Sequence, residues 1–482
     1  MHSTFAVDAG ILLGAVLVIV GVVGSGIAER FRLPGLVLFL LIGMVVADDG
    51  LAIVHFDDAR LAQNIAVVAL VVILFEGGLA TAPQAVRRSG VAAALLATVG
   101  VAVTAAVVAG GAALVFDLPA PSVLLIGAVV SSTDAAAVFS ALRGLPMPAR
   151  VRDVLQMESG LNDPIAVILT IGMVEVWRGT PGVEDWLAFG LLHLVGGLAI
   201  GLATGVAARV VLRQLRLPNT AAYPVLALAV ACLAYGLASE LRSSGFLAVY
   251  LAGLVLGRKR RLARALLHFH EGLATAAEAL LFLMLGLLVF PSNLADDIAP
   301  ALVIATILMF VARPVAVAIC LPWFRYSRRE LTLISWAGLR GAVPIVLATI
   351  PLTAGHPEGE LIFEVVFVTV LVSLVVQAGT VRPLVNRLGF AGEVSGAHAE
   401  VAVLDALVAD LVELRLTNRS SVLGTHLRDH QLPEGSRVAL VVRGSESFVP
   451  DGDMVLTADD VLLIAVTPDT NPETLTAWAT RL

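Results

Sequence analysis

The chain has 482 residues, of which 58% are hydrophobic and 14% are charged, and its mean hydropathy is +0.93. A soluble domain usually has about 25% charged residues. This composition therefore excludes a soluble enzyme, a nucleic-acid-binding protein and a disordered chain, and predicts a polytopic membrane protein. The net charge is −7. The two cysteines, Cys232 and Cys320, both lie in apolar runs, so we expect neither a disulfide framework nor a zinc site.

Apolar segments long enough to cross a bilayer recur from the N-terminus to about residue 381. A membrane-spanning helix needs about 20 such residues. We identify thirteen candidate spans, at residues 9–28, 34–47, 61–80, 91–116, 121–142, 154–177, 187–212, 221–239, 244–257, 271–290, 298–320, 331–352 and 361–381.

The charges of the predicted loops indicate an orientation. If the N-terminus is outside, the inside loops contain twenty basic residues, and the outside loops contain only Arg60, Arg178 and Arg242. Because positive loops stay in the cytoplasm, this alternation predicts an outside N-terminus and a cytoplasmic C-terminus. It also supports the count of spans, since a wrong count would scramble it.

The composition changes after about residue 390. Residues 391–482 contain 14 acidic and 6 basic residues and lack an apolar run of membrane-spanning length. Short strand-like runs at 411–416, 437–442 and 461–466 are separated by turn sequences. We therefore expect a transmembrane domain at 1–390 and a small cytoplasmic α+β domain at 391–482.

Polar residues in the fifth and sixth spans indicate where function lies. The fifth contains Ser131-Ser132-Thr133-Asp134, and the sixth contains Glu158-Ser159-Gly160-Leu161-Asn162-Asp163-Pro164. A charge at the bilayer centre costs at least about 2.5 kcal/mol. At 1.5 Å per helical residue, Asp134 and Asp163 lie roughly 12 and 15 Å from the cytoplasmic end of their spans. Both carboxylates should therefore reach the middle of the membrane, and four consecutive polar residues predict an interrupted fifth helix.

The twelfth span carries a matching signal. It contains Gly338-Leu339-Arg340-Gly341-Ala342-Val343-Pro344, in which glycines and a proline flank a buried cation. It lies seven spans after the fifth, so the two interrupted helices run in opposite directions, as in an inverted repeat with its site at the midplane. Arg313, in the eleventh span, is a second buried cation. Glu158 is best explained as the ion-pair partner of one of these two arginines.

Four other titratable residues have weaker signals. Glu76 and Glu278 lie inside spans, and a structural role is favoured over contact with ions for both. His268 and His270 follow a basic stretch, and we expect them in a solvated loop, with pH sensing as the alternative.

The motifs of the fifth, sixth and twelfth spans resemble those of the bacterial cation–proton antiporters of the NhaP type, in particular the CvrA-like potassium/proton group. The tail resembles the C-terminal half of potassium-conductance regulator domains (RCK-C or TrkA-C). The resemblance implies an all-α membrane domain with a NhaA-like inverted repeat and about thirteen helices, a homodimer, and a role in pH and volume homeostasis. Some members continue into a further cytoplasmic domain, and we expect regulation by such a domain to be absent here.

The resemblance also assigns roles to residues. It places a monovalent cation at Asp163, assisted by Thr133, Ser159 and Asp134, and gives Asn162 a structural role.

It pairs Glu158 with a buried arginine, for which Arg313 is favoured, and leaves Arg340 to neutralise the crossed helix ends.

These observations predict a secondary antiporter that exchanges a monovalent cation for a proton in the bacterial inner membrane. Burial favours the protonated form of a carboxylic acid and a bound cation favours the ionised form, so one carboxylate can hold either but not both. Potassium is favoured by the resemblance, and sodium is possible. Because position 162 is Asn, a single carboxylate should titrate and the exchange should be electroneutral. The tail should regulate transport, with a nucleotide or cyclic dinucleotide as a possible ligand.

The alternative is a ligand-gated cation channel, since regulator domains of this kind also serve channels. A channel would need a filter of backbone carbonyls, and no such sequence is present. No cofactor and no nucleic-acid partner is predicted.

Overall fold

The architecture below is that of a computed structural model of the full chain. It describes residues 8–28, 35–56, 58–134, 137–138, 142, 145, 147–179, 183–215, 222–257, 260–292, 294–390, 399–402, 410–417, 420–444, 446–467, 470 and 472–480. The chain divides into two compact units, Met1–Leu388 and Gly389–Leu482.

The described part of the first unit is helical. Its α-helices are α1 (Asp8–Ala28), α2 (Gly35–Val46), α3 (Ala59–Ala80), α4 (Pro83–Leu95), α5 (Val101–Val115), α6 (Ala120–Val130), α7 (Ala149–Trp177), α8 (Val183–Gln214), α9 (Ala222–Glu240), α10 (Gly245–Leu256), α11 (Arg260–Leu287), α12 (Leu294–Ile307), α13 (Arg313–Cys320), α14 (Arg328–Trp336), α15 (Ala342–Thr353) and α16 (Gly359–Arg387).

Within the described residues, eight helical segments are long and apolar enough to cross a membrane, and five further apolar helices are shorter. Their positions follow the predicted spans, and the shorter helices include α2 and α10, which correspond to the two spans of only 14 residues. The number of membrane crossings itself stays a prediction.

Two spans are interrupted where the polar motifs predict it. The helix α6 ends at Val130, and residues 131–134 are not helical. The helix α14 ends at Trp336, and α15 begins only at Ala342. Much of the second half of the fifth span, including residues 135–136 and 139–141, lies outside the described residues.

Each interrupted span follows a span that contains a π-helical segment. These segments are Leu96–Gly100, between α4 and α5, and Leu308–Ala312, between α12 and α13. Single π-helical turns in α-helices often occur at functional sites. The same irregularity thus occurs seven spans apart, as a repeat requires.

The start of the tenth span differs from the prediction. We expected His268 and His270 in a loop, which is wrong, because α11 begins at Arg260 and both lie on it. His268 is exposed, whereas His270 is fully buried, with its Nδ1 2.7 Å from the Leu266 carbonyl oxygen. Hydropathy shows where a segment becomes apolar, but a helix can continue beyond the bilayer with polar turns.

In its described residues, the second unit has a five-stranded antiparallel sheet in the order β1-β2-β5-β3-β4, followed by a helix. Three predicted strands correspond to β2, β3 and β5; β1, β4 and the helix were not predicted. Its elements are β1 (Ala399–Ala402), β2 (Asp410–Arg415), β3 (Ser436–Arg443), β4 (Glu446–Phe448), β5 (Val461–Val466) and α17 (Pro472–Thr480). Alternate residues of β5 are buried, including Leu462 and Ile464, and pack with Leu475 of α17 in one apolar core.

Candidate ion-binding site

The two interrupted helices cross through their non-helical segments. The backbone N–H of Asp134 donates to the carbonyl of Leu339 at 2.9 Å. The Asp134 carboxylate accepts from the backbone N–H of Ala342, the first residue of α15, at 2.9 Å, and from that of Ala137 at 3.0 Å. A carboxylate here compensates the positive end of the α15 dipole.

Gly341 makes this crossing possible. A Cβ built on Gly341 would lie 1.8 Å from Oδ2 of Asp134, so no side chain fits between the segments. A glycine is therefore required next to Arg340, because the two non-helical segments approach too closely for a side chain at this position.

Arg340 compensates the opposite helix end. Its buried Nη1 donates to the carbonyls of Ser131 at 3.0 Å and Ser132 at 2.7 Å, where α6 ends. Cations are stabilising at helix C-termini, where carbonyls lack intrahelical partners. The crossing thus places an anion at one helix end and a cation at another.

The last helix of the unit holds the second break in place. The hydroxyl of Ser373 accepts from the backbone N–H of Arg340 at 3.1 Å and donates to Gln377. The Gln377 amide donates to the carbonyl of Trp336, the last residue of α14, at 2.8 Å. Sequence analysis missed these two residues, although buried polar side chains at i and i+4 in the last span were the available signal.

Asp163 lies next to the first break. Its side chain is 5% exposed, and Oδ1 accepts a hydrogen bond from the Ser132 hydroxyl at 2.5 Å. Ser132 belongs to the polar motif of the fifth span, but the sequence predicted no role for it. Among the described residues, no lysine or arginine lies within ion-pair distance of Asp163, so its carboxylate faces the site without a counter-charge in contact.

A neighbouring cluster of polar side chains connects the first break with α7. The hydroxyls of Thr133 and Ser159 are 3.1 Å apart, and the Asn162 amide donates to Thr133 at 2.5 Å. Ser159 also bonds its own helix at Leu155. The hydrogen bond from Asn162 therefore connects α7 with the non-helical segment at Thr133.

Glu158 forms a bidentate ion pair with Arg313. Arg313 Nη2 lies 2.7 Å from Oε2 of Glu158, and Nη1 bonds Oε1. The two side chains are 1% and 3% exposed. Of the two arginines considered from sequence, the structure contains the pair with Arg313.

A small cavity of about 30 Å³ adjoins Asp163 and Asp134. Its walls come from α7 and α15 on one side and from α3, α10 and α11 on the other. A volume of about 10–15 Å³ is enough for one water molecule, so the cavity can hold a water or a dehydrated ion. Glu278 lines it, although sequence analysis favoured a structural role there, whereas Glu76 does not.

Tyr250 forms part of the same wall and was not predicted. A Cβ on Gly160 would lie 2.3 Å from the Tyr250 ring, and the Tyr250 hydroxyl is 3.2 Å from that of Thr81. Gly160 thus lets α7 and α10 approach at the level of the cavity.

Comparison with known proteins identifies the family. Residues 14–387 match the model of the family described as sodium/hydrogen exchanger, transmembrane. The chain belongs to the sodium/hydrogen exchanger family. Residues 411–473 of this exchanger match the TrkA-C domain.

Relatives of the exchanger are named as antiporters. The K(+)/H(+) antiporter NhaP of Alkalimonas amylolytica is 39% identical over 470 residues, which are 95% of this chain and 81% of that protein. The K(+)/H(+) antiporter NhaP2 of Shewanella baltica strain OS223 is 35% identical, with the same coverage. The exchanger is therefore a multi-pass membrane antiporter, not an enzyme, and the channel alternative is wrong.

A solved structure has the same fold. The sodium proton antiporter MjNhaP1 from Methanocaldococcus jannaschii superposes with a TM-score of 0.70 at 22% identity, over 80% of this chain and 100% of that chain. The likeness confirms the expected helical antiporter fold, and at this identity it shows the fold alone.

Proposed function

We propose that this exchanger transports potassium in one direction and a proton in the other, with Asp163 as the group that binds either ion. One observation carries the proposal: Asp163 is a buried carboxylate beside a cavity and has a hydroxyl partner at Ser132 but no ion pair among the described residues. Glu158, one turn earlier, is neutralised by Arg313. An intramembrane carboxylate without a counter-charge is expected to bind a proton or a cation.

Thr133, Ser159 and Asp134 are proposed to assist. Their hydroxyl and carboxylate oxygens lie on the two elements that meet at Asp163, and oxygen is the ligand type that alkali cations require. Asp134 also accepts backbone hydrogen bonds on both carboxylate oxygens, which stabilises a constant negative charge there.

Electroneutral exchange follows from the same contacts. If Asp134 keeps its charge for the helix ends, Glu158 keeps its charge for Arg313, and Glu278, which also lines the cavity, keeps one protonation state, only Asp163 changes protonation state. One cation then replaces one proton, and no net charge crosses the membrane.

Potassium is proposed because relatives at 35–39% identity are named K(+)/H(+) antiporters. The more distant NhaH of Halobacillus dabanensis, at 28% identity, is named a Na(+)/H(+) antiporter, so sodium is the competing cation.

The remaining features extend the proposal. Transport takes place in a bacterial inner membrane, with the N-terminus outside and the C-terminus in the cytoplasm, as the loop charges indicate. The exchanger works as a homodimer, and its regulatory TrkA-C unit, within residues 391–482, binds a nucleotide or cyclic dinucleotide. Both statements rest on the resemblance to the family.

The test is cation-driven proton movement in vesicles containing the Asp163→Asn protein. Asparagine removes the proton acceptor and the counter-charge for the cation while keeping the shape, so exchange should be abolished. Glu175→Gln is the matched control, since Glu175 lies on the same helix in a half-exposed pair with Arg178, and this variant should transport normally. Substantial exchange by a correctly inserted Asp163→Asn protein would refute the proposed site.

A further inference from the structure

A second, larger cavity lies apart from the ion site. It is a groove of about 610 Å³ bounded by α13 with the π-helical segment before it, by α14 and by α16. Among the described residues, it shares no lining residue with the small cavity. Its wall is mainly apolar, with side chains such as Met309, Val317, Leu331 and Leu384. Grooves of this size accommodate a small molecule or an acyl chain.

One end of the groove is basic. Arg387 lines it from the last turn of α16. Arg328 and Arg329 are exposed in the first turn of α14, whose next residues also form the wall. None of the lining residues that the structure describes is acidic, so this end is suited to an anion.

The position of the basic end in the bilayer is marked by Trp323. This side chain is 81% exposed in the short 3-10 helix Pro322–Phe324, just before α14. Exposed tryptophans are enriched at the headgroup level of membrane proteins. The basic end therefore lies at the membrane surface, and the apolar wall extends into the hydrocarbon.

The length of the groove agrees with one leaflet. The helix α14 extends from Arg328, in its exposed first turn, to Trp336, in the wall of the groove, and eight steps of 1.5 Å give about 12 Å. Half of a hydrocarbon core of about 30 Å is about 15 Å. An acyl chain whose headgroup sits at the basic end would thus extend along most of the groove.

We propose that this groove binds an anionic phospholipid, with an acyl chain against α13, α14 and α16 and the phosphate beside Arg387. Basic pockets between helices at a membrane surface favour anionic headgroups. The apolar wall favours a lipid over a free phosphate, which has no chain to occupy it.

The helix α16 supplies a matched control. Its lining residues Thr380, Pro383, Leu384 and Arg387 are spaced i, i+3, i+4 and i+7 and share one face. Arg382 is also exposed on the same helix but is not a lining residue. Substituting glutamine for Arg382 or for Arg387 therefore changes the net charge by the same amount, but only the substitution of Arg387 alters the groove.

The experiment uses Trp336, which lines the groove and is fixed by a hydrogen bond from its indole N–H to Thr380 at 2.9 Å. The full chain is reconstituted in mixed vesicles, and its fluorescence quenching by acyl-brominated phosphatidylglycerol and phosphatidylcholine is compared. The signal of Trp336 is obtained by subtracting that of a Trp336→Phe protein. We expect phosphatidylglycerol to bind about fivefold more tightly, the contribution of roughly one basic residue near a surface.

The variants decide between lipid and protein as the occupant. Arg387→Gln should abolish the preference for phosphatidylglycerol, and Arg382→Gln should keep it. Ala318→Phe, at an exposed lining position, should fill the groove and reduce quenching by both lipids. Equal quenching by the two lipids in the unchanged protein would overturn the proposal, as would a preference that survives Arg387→Gln. Absence of quenching would also overturn it, since a second copy or another part of the chain would then cover the groove.

Discussion

Replacing Glu158 by glutamine should damage stability before it damages ion binding. In the folded protein, Arg313 donates to both carboxylate oxygens of Glu158, and both side chains are almost fully buried. The variant keeps the volume but leaves a buried guanidinium without its counter-charge. The long hydrogen bond from Arg313 Nη2 to the carbonyl of Ile334, at 3.4 Å, cannot compensate for this loss.

The burial of the pair sets the expected magnitude. Removing one member of a buried ion pair typically costs about 3–5 kcal/mol, because the other charge stays desolvated. The pair of Glu175 with Arg178 on the same helix is 39% and 47% exposed. An exposed pair contributes about 0–1 kcal/mol, so Glu175→Gln should have little effect.

The assay is thermal unfolding of the purified protein together with the apparent affinity for potassium in vesicles. Glu158→Gln should lower the melting temperature clearly, and Glu175→Gln should not. The double variant Glu158→Gln with Arg313→Gln should recover part of the loss, since no unpaired charge remains. If Glu158→Gln keeps its melting temperature and loses potassium affinity, Glu158 belongs to the ion site and the argument from burial is wrong.

Four further outcomes are expected. Gly341→Ala should abolish exchange, because the added methyl group would overlap the Asp134 carboxylate. Gly379→Ala should leave exchange intact, because Gly379 has open space around it. Exchange assays in vesicles compare the two variants. Vesicles with equal ion gradients should reach the same end point with and without an imposed potential, which would otherwise contribute about 2.3 kcal/mol per net charge at 100 mV. Truncation after residue 390 should preserve exchange and alter its activation by pH or a cytoplasmic ligand, measured as transport against pH. In the second unit, burial opposes ionisation of Asp460, but hydrogen bonds from Arg443 and Thr457 lower its pKa below the usual value. Its stabilising contribution is therefore present above about pH 4 and lost as the pH falls through the lowered pKa. Asp460→Asn should reduce hydrogen-exchange protection of β5 at neutral pH, and the difference from the unchanged protein should disappear as the pH falls through the lowered pKa.

The broad architecture of this protein could be predicted from local features of its sequence. Each apolar run corresponds to a helix, because a backbone in lipid must satisfy its hydrogen bonds within the segment. The breaks at 131–134 and 337–341 were also predictable, since consecutive polar residues or glycines around a buried cation cannot continue as a lipid-exposed helix. The start of α11 could not be predicted, because polar helical turns outside the bilayer have no hydropathy signal.

The sequence by itself therefore determined the membrane helices, the two interruptions and the buried charges that compete for roles. Only the tertiary structure decided which charges meet: Glu158 with Arg313, Asp134 with the start of α15, and Arg340 with the end of α6. It also brought Ser373 to the second break. These contacts join residues 33 to 209 positions apart. Hydropathy and spacing report only on neighbours along one helix, whereas packing between helices determines which distant side chains come together.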